Sequence, residues 1–510
     1  MPNYRSAFQT TSAIPAMSAI AVTSTITARS AFTAMSAIPV TSAIPATSTI
    51  PATSAIPTTS VFQATMVTCF FFLSFPTPSA GQAKVVNDKP PNIIFILTDD
   101  MGYGDLSCYN GSYRTPNLDK MAKEGRRFTN YYSASPVCSP SRVGFLTGMH
   151  PTKWNITNYL SDKKHNLDCE QNDYLNPSAP TLAKTLKNAG YLTAHFGKWH
   201  MGGGRDVKDA PSISNYGFSE WSSTWESPDP DPMLTSSNWI WADTDSVRRW
   251  NRTAYFVDKT LDFLRKNKGK PCFINLWPDD VHTPWVPGTD FIKKEGDLEK
   301  NFLRVLNEYD VQIGRLLDSL KTMGFDKNTL VVFTSDNGPA PNFRHERSAG
   351  MRGTKLSLFE GGIRMPFIVW GRNIPKGTID SSSVITALDL LPSFASLGGV
   401  RRDVSSDGED LSMVLLGKQT KRKKEIFWEY GRNEVGFDYP KQPGDRSPQL
   451  AVRSGPWKLL MNRDGSDVQL YNIADDRFEK NNLAIQEIQI VNTLRKKLVA
   501  WRENVTASTR

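Results

Sequence analysis

The chain has 510 residues, 39% of them hydrophobic and 22% charged, enough to bury a sizeable core and too long for one small module. Lys and Arg number 60 against 51 Asp and Glu, and the resulting +9 favours anionic partners but is too diffuse to indicate nucleic acid. The five cysteines (Cys69, Cys108, Cys138, Cys169, Cys272) are too few for a disulfide scaffold and have no C-x-x-C spacing, and no run reaches the roughly 18 apolar residues of a membrane span.

From Thr11 to Thr58 the sequence repeats every six residues, as in Thr41-Ser42-Ala43-Ile44-Pro45-Ala46 followed by Thr47-Ser48-Thr49-Ile50-Pro51-Ala52. Frequent Pro, almost no charge and few large apolar groups predict disorder over 1–65. The stretch reads either as a Ser/Thr/Pro stalk or as upstream sequence ahead of a start at Met66. The run Cys69-Phe70-Phe71-Phe72-Leu73-Ser74-Phe75 and the small residues Ser79-Ala80-Gly81-Gln82-Ala83 resemble a secretory signal over 66–83, although no Lys or Arg precedes the run in that window. Export, to a periplasm or outside the cell, is the expectation. A catalytic domain is expected over 84–417 and a C-terminal subdomain over 418–510.

Asn92-Ile93-Ile94-Phe95-Ile96-Leu97-Thr98 and Leu330-Val331-Val332-Phe333-Thr334 are almost wholly apolar, as expected of strands buried on both faces of a mostly parallel sheet. Helices are predicted from Thr115-Pro116 to near Gly125, from Pro180-Thr181 to Gly190, and from Leu303 through Leu320 to Gly324. The fold class is α/β, a large mostly parallel sheet flanked by helices. After Lys418 come a basic run, Lys421-Arg422-Lys423-Lys424, short strand patterns and a helical tail near 491–501, which read as a small antiparallel sheet closed by a helix. The basic run is either a solvated turn or a contact for a polyanion.

In such folds the site lies beyond the carboxyl ends of the strands. There the sequence places Asp99-Asp100 after the first strand and Asp336-Asn337 after the later one. Adjacent carboxylates repel unless a cation gathers them, and an all-oxygen set suits Ca²⁺ or Mg²⁺ rather than zinc. Taken singly, each Asp also fits a turn or a helix cap.

Cys138-Ser139-Pro140-Ser141-Arg142 and, downstream, Gly190-Tyr191-Leu192-Thr193-Ala194-His195-Phe196-Gly197-Lys198-Trp199-His200 resemble the two signatures of the type I, formylglycine-dependent sulfatases of the alkaline-phosphatase-like superfamily. The resemblance continues through Arg352-Gly353-Thr354-Lys355, Phe359-Glu360-Gly361-Gly362-Ile363-Arg364 and Trp457-Lys458-Leu459-Leu460, and spans Asn92 to about Leu483. It implies that a maturation enzyme oxidises Cys138 to formylglycine, whose hydrate is the nucleophile, with Arg142 beside it. It also implies one Ca²⁺, ahead of Mg²⁺, on Asp99, Asp100, Asp336 and Asn337 together with the modified Cys138. Lys198 and Lys355 would neutralise a sulfate ester, Asp336 would take the nucleophile's proton, His282 would protonate the leaving oxygen and His200 would assist release of sulfate. Of the other histidines, His195 reads as structural and His345 as a loop residue or a substrate contact; His150 and His165 have no place in the motifs.

Trp221, Trp225, Trp239, Trp241 and Trp250 fall in a Pro/Asp/Ser-rich stretch, where rings can stack on a sugar or simply pack a long loop. Trp225 and Trp239 are the candidates for sugar contact. The implied substrate is a sulfated small molecule or glycan, with no nucleic-acid partner and no membrane span. A formylglycine-dependent phosphonate monoester or phosphodiester hydrolase and a secreted adhesin with a Ser/Thr/Pro stalk are the alternatives.

Overall fold

The computed structural model describes residues 89–237, 240–289, 298–400 and 404–507; the hexad repeat, the signal-like segment and Trp239 lie outside them. The main sheet contains β1 (Asn92–Thr98), β2 (Arg126–Tyr132), β3 (Leu192–Gly197), β4 (Glu220–Ser223), β5 (Cys272–Trp277), β6 (Thr329–Ser335), β7 (Arg364–Gly371), β8 (Thr378–Asp380) and β9 (Ile385–Thr386). Their order is β4-β3-β5-β1-β6-β7-β2-β8, with β9 also on β2. Among these strands β7 alone runs against its neighbours.

β1 shows why the sheet sits at the centre. Ile93, Phe95 and Leu97 enter one apolar cluster and Ile94 and Ile96 the other, so both faces are covered. The helices Cys138–Thr147, Leu182–Asn188 and Leu390–Leu397 cover the first face. The second is covered by Pro116–Glu124, Arg252–Lys266 and Leu298–Thr322. Pro116 at the first helical position and the Thr181 side chain, which accepts from Lys184 N–H, supply the expected starts. The third helix is already formed at Leu298, ahead of the apolar period from Leu303.

A second sheet of β10 (Ile426–Glu429), β11 (Leu450–Ser454), β12 (Trp457–Met461) and β13 (Gln469–Asn472) is antiparallel throughout. One face packs Trp428, Ala451 and Leu460 onto Tyr132, Val137, Leu358 and Phe359; the other receives Val491, Leu494 and Leu498 of the helix Ile488–Ala507. Lys458 carries a buried charge across, 3.0 Å from Glu360 and 2.9 Å from Glu479, all three side chains fully buried. The segment leading from Lys355 to Ile363 therefore rests on this sheet.

Candidate active site

β1 and β6 are parallel neighbours with Thr98 opposite Ser335, so the next residues of each strand emerge side by side. Asp100 N–H donates to Asp336 Oδ1 at 3.1 Å, and Asn337 Nδ2 donates to Asp100 Oδ1 at 2.7 Å. Asp99, Asp100, Asp336 and Asn337 are all buried. Asp100 has φ +55°, a left-handed conformation that the surrounding hydrogen bonds must hold.

Cys138 is the first residue of a helix buried along its whole length, Cys138–Thr147. The helix N-terminus contributes a partial positive charge at that position. Arg142 lies one turn later on the same face, which is the local sense of the Cys-x-Pro-x-Arg spacing, and Pro140 sits in the first turn, where it displaces no helical hydrogen bond. The fully buried Arg142 guanidinium is 2.7 Å from Asp336 Oδ2 and 3.2 Å from Asp99 Oδ1, donates to the Lys198 carbonyl at 3.0 Å and sits over the Trp277 ring.

Lys198 leaves β3 after Gly197, whose φ of +126° and 2.0 Å clearance from the Trp277 carbonyl at the Cβ position exclude any side chain. Its Nζ is 2.9 Å from Asp99 Oδ2 and 3.8 Å from Glu226. Lys355 Nζ is 2.8 Å from Asp100 Oδ2 and 3.3 Å from His282 Nε2, which itself lies 3.4 Å from Asp100. The other ring nitrogen of His282 donates to the Thr283 carbonyl at 2.6 Å, and His200 Nε2 donates to the Leu160 carbonyl at 2.9 Å. His200 Nδ1 is thereby left as a buried lone pair without a hydrogen-bond partner.

The charges shape one another. Burial and the neighbouring Asp99 push Asp336 up to about 7, Arg142 opposing them. Burial alone would raise Asp99 as well, but Lys198, His282, Arg142 and Lys355 hold it well below its ordinary value. Burial lowers His200 to about 3 and lowers His282 against the pull of Asp100 and Asp99, so both imidazoles rest neutral. Burial pushes the Cys138 thiol up to about 12, leaving it protonated and a weak nucleophile as it stands.

Ligand atoms of Asp99, Asp100, Cys138 and His282 lie within 4.8 Å of one another. Asn337 Oδ1 is a buried acceptor that takes no hydrogen bond, and Asp99 Oδ1 has only the ion pair with Arg142 at 3.2 Å. An unsatisfied hard oxygen among crowded carboxylates, one of them pushed up to about 7, is the environment a divalent oxygen-liganded cation relieves, so the residues fit one. Asp336 and Asn337 adjoin this group through Asp100; His282, expected as the acid and as a substrate contact rather than as a metal ligand, stands inside it.

These side chains open onto a cavity of about 340 Å³ lined by Asp99, Cys138, Lys198, His200, His282 and Lys355, with Trp225 in its wall. Every motif residue expected at the site is therefore at or beside it. Of the described members of the tryptophan group, Trp225 lines the cavity, whereas Trp221 packs on the core. His195 is fully buried edge-on to Trp199 and Trp277, as a structural residue should be. His345 is 2.8 Å from Asp445, away from the cavity lining.

Among the charged lining groups that the sequence did not single out are Glu226, Arg205, Arg249 and Asp279. Glu226, lowered to about 2 because His200, Lys198 and Arg205 outweigh its burial, stands 3.5 Å from His200 and 3.1 Å from Arg205. Arg205 lies over the Trp225 ring, and Arg249 pairs with Asp279 behind His282. Asp279 follows a strand end and was findable on that ground; Glu226 and Arg205 belong to no pattern.

Sequence comparison matches residues 91–400 to the family described as Sulfatase and residues 354–504 to the one described as N-sulphoglucosamine sulphohydrolase, C-terminal. The chain is 26% identical over 501 residues to N-acetylgalactosamine-6-O-sulfatase of Bacteroides thetaiotaomicron, covering 81% of this chain and 93% of that protein. It is 30% identical over 417 residues to human Arylsulfatase A, covering 74% and 76%. Among solved structures, Ps i-CgsB in complex with k-i-k-neocarrahexaose superposes with a TM-score of 0.65 at 25% identity, over 83% of this chain and 94% of that one.

Proposed function

The chain belongs to the sulfatase family and is a sulfuric ester hydrolase; from that premise we propose that its substrate is a sulfate monoester carried by a carbohydrate, with Cys138 working as formylglycine and Ca²⁺ held by Asp99, Asp100, Asp336 and Asn337. The observation that carries this reading is the convergence of Lys198, Lys355, His200 and His282 with Cys138 around one cavity. Such a lining suits a group whose negative charge must be neutralised before an oxygen can attack it. A relative named for N-acetylgalactosamine 6-O-sulfate and a structural neighbour bound to k-i-k-neocarrahexaose support the carbohydrate.

When present, formylglycine supplies an oxygen nucleophile through its hydrate and Ca²⁺ supplies a Lewis acid for the sulfate oxygens. The chain's own residues do the rest. Lys198 and Lys355 screen the sulfate charge, and Arg142 fixes the position of Asp336, which takes the proton of the attacking hydroxyl. A sulfate placed beside His282 Nε2 raises that imidazole, which then delivers a proton to the departing alcohol. His200, neutral and with Nδ1 free, accepts the proton whose removal releases sulfate. Trp225 forms a wall against which a sugar ring stacks. The proposal includes a maturation enzyme acting on Cys138 and export directed by residues 66–83.

The test is sulfate release, followed by ion chromatography, from a panel of sulfated monosaccharides beside a phosphonate monoester. Saccharide desulfation by the protein and its loss in Cys138→Ala support the reading. Faster turnover of the phosphonate, or full activity in Cys138→Ala, overturns it.

A further inference from the structure

We propose that the groove between β2 and the second sheet is a non-catalytic binding site for a sulfated polysaccharide chain. This rests on the carbohydrate reading above. The groove has a volume of about 710 Å³ and shares no lining residue with the catalytic cavity. Seven basic residues line it against one carboxylate, Glu425, and that carboxylate is already paired with Lys497.

Three of the seven basic residues are already engaged: Arg364 and Arg422 are held by Glu360 and Asp389, and Lys424 Nζ donates to the Asp407 and Gly408 carbonyls. Lys421, Lys423 and Arg477 are exposed, and no carboxylate among the described residues lies within ion-pair distance of their side chains. Arg453 is 94% buried, and its guanidinium donates to the Tyr132 hydroxyl and the Gly455 carbonyl rather than to an acid. Glu360, bridged to Arg453 by the Tyr132 hydroxyl, is already shared with Lys458 and Arg364, so the base of a groove rimmed by unpaired cations keeps positive charge for an anionic ligand.

The rest of the lining selects the kind of anion. Thr129, Asn130, Ser381, Ser382, Thr420 and Ser454 offer hydroxyl and amide groups, and no Phe, Tyr or Trp lines the groove. Grooves for single-stranded nucleic acid stack bases on aromatic rings, which this lining lacks. Hydroxyl-rich walls with free cations instead suit a chain of sugars carrying sulfates. In the basic run 421–424, which the sequence left open between a solvated turn and a polyanion contact, Lys421 and Lys423 take the second role.

The test compares Lys421→Ser/Lys423→Ser/Arg477→Ser with a control triple, Lys187→Ser/Lys208→Ser/Lys268→Ser, built from exposed lysines outside the groove. Binding of fluorescein-labelled dextran sulfate is measured against salt, beside neutral dextran and a single-stranded DNA of matched charge, and hydrolysis of 4-nitrocatechol sulfate is measured in parallel. The groove triple should bind dextran sulfate about tenfold more weakly with a shallower salt dependence, while the control stays near wild type and all three hydrolyse the small ester alike. Equal weakening of both triples, tighter binding of DNA, no binding by the wild type, or a fall in small-ester hydrolysis confined to the groove triple overturns the proposal. Failure to release sulfate from any saccharide overturns the substrate reading instead, and the binding comparison still decides the groove.

Discussion

Arg142 is the group on which the charge balance of the site turns. Its guanidinium, fully buried, lies 2.7 Å from Asp336 and 3.2 Å from Asp99 and holds the Lys198 carbonyl. Replacing it by Met keeps much of the volume but strands Asp336 in the interior and leaves Asp99 to Lys198 alone, a loss of about 3–5 kcal/mol. With unfolding entropy near 2 cal/mol/K per residue across Gln82–Arg510, each kcal/mol lowers Tm by about 1 °C, so Arg142→Met should melt about 3–5 °C below wild type. Adding Asp336→Asn removes the carboxylate that lost most. The double variant should then be about 2 kcal/mol more stable than the sum of the two single losses predicts. The assay is thermal unfolding at one scan rate in EDTA, so that no cation contributes. Single losses that add to within about 0.5 kcal/mol would show that Arg142 and Asp336 are not a coupled buried pair.

Three further outcomes follow from the same geometry. Trp225→Ala should raise KM on a sulfated saccharide by about tenfold and hardly alter it on a small aryl sulfate; equal losses on both would deny a sugar-stacking role. After removal of divalent cations, Ca²⁺ at about a hundred times its Kd should restore roughly 2.7 kcal/mol of stability, and Mg²⁺ less; a Tm indifferent to Ca²⁺ would contradict the carboxylate site. Burial and Glu360 push Glu479 up to about 7, against 4.5 in the unfolded chain. As pH rises through that interval the unfolded chain ionises first, so this site's contribution to stability falls, by at most about 3 kcal/mol. Glu479→Gln should flatten that limb of the stability profile, and parallel wild-type and variant profiles from pH 5 to 8 would refute it.

How much of this was legible in the chain depended on where the deciding interactions lie. β1 and β6 announce themselves because both faces are buried and the residues between their polar ends are apolar, and β5 does so with Asn275 as its one polar member. β2, Arg126-Arg127-Phe128-Thr129-Asn130-Tyr131-Tyr132, does not, since Arg126 is satisfied by Asp380 far along the chain. The reversed direction of β7 is likewise set by pairing with β6 and β2, not by its own sequence. At the site, residues just beyond strand ends could be expected to meet, and Asp99, Asp336, Lys198 and His282 do. Glu226 could not, because its importance arises only when a loop brings it beside His200, Lys198 and Arg205.

The account depends most on the chemical state of Cys138, whose buried thiol is too weak a nucleophile to act unmodified. The decisive measurement is the mass of the tryptic peptide Phe128 to Arg142 from protein made alongside a formylglycine-generating enzyme. An aldehyde oxygen in place of sulfur at Cys138, in step with saccharide desulfation, is the predicted result. An intact thiol in protein that still releases sulfate would contradict the mechanism.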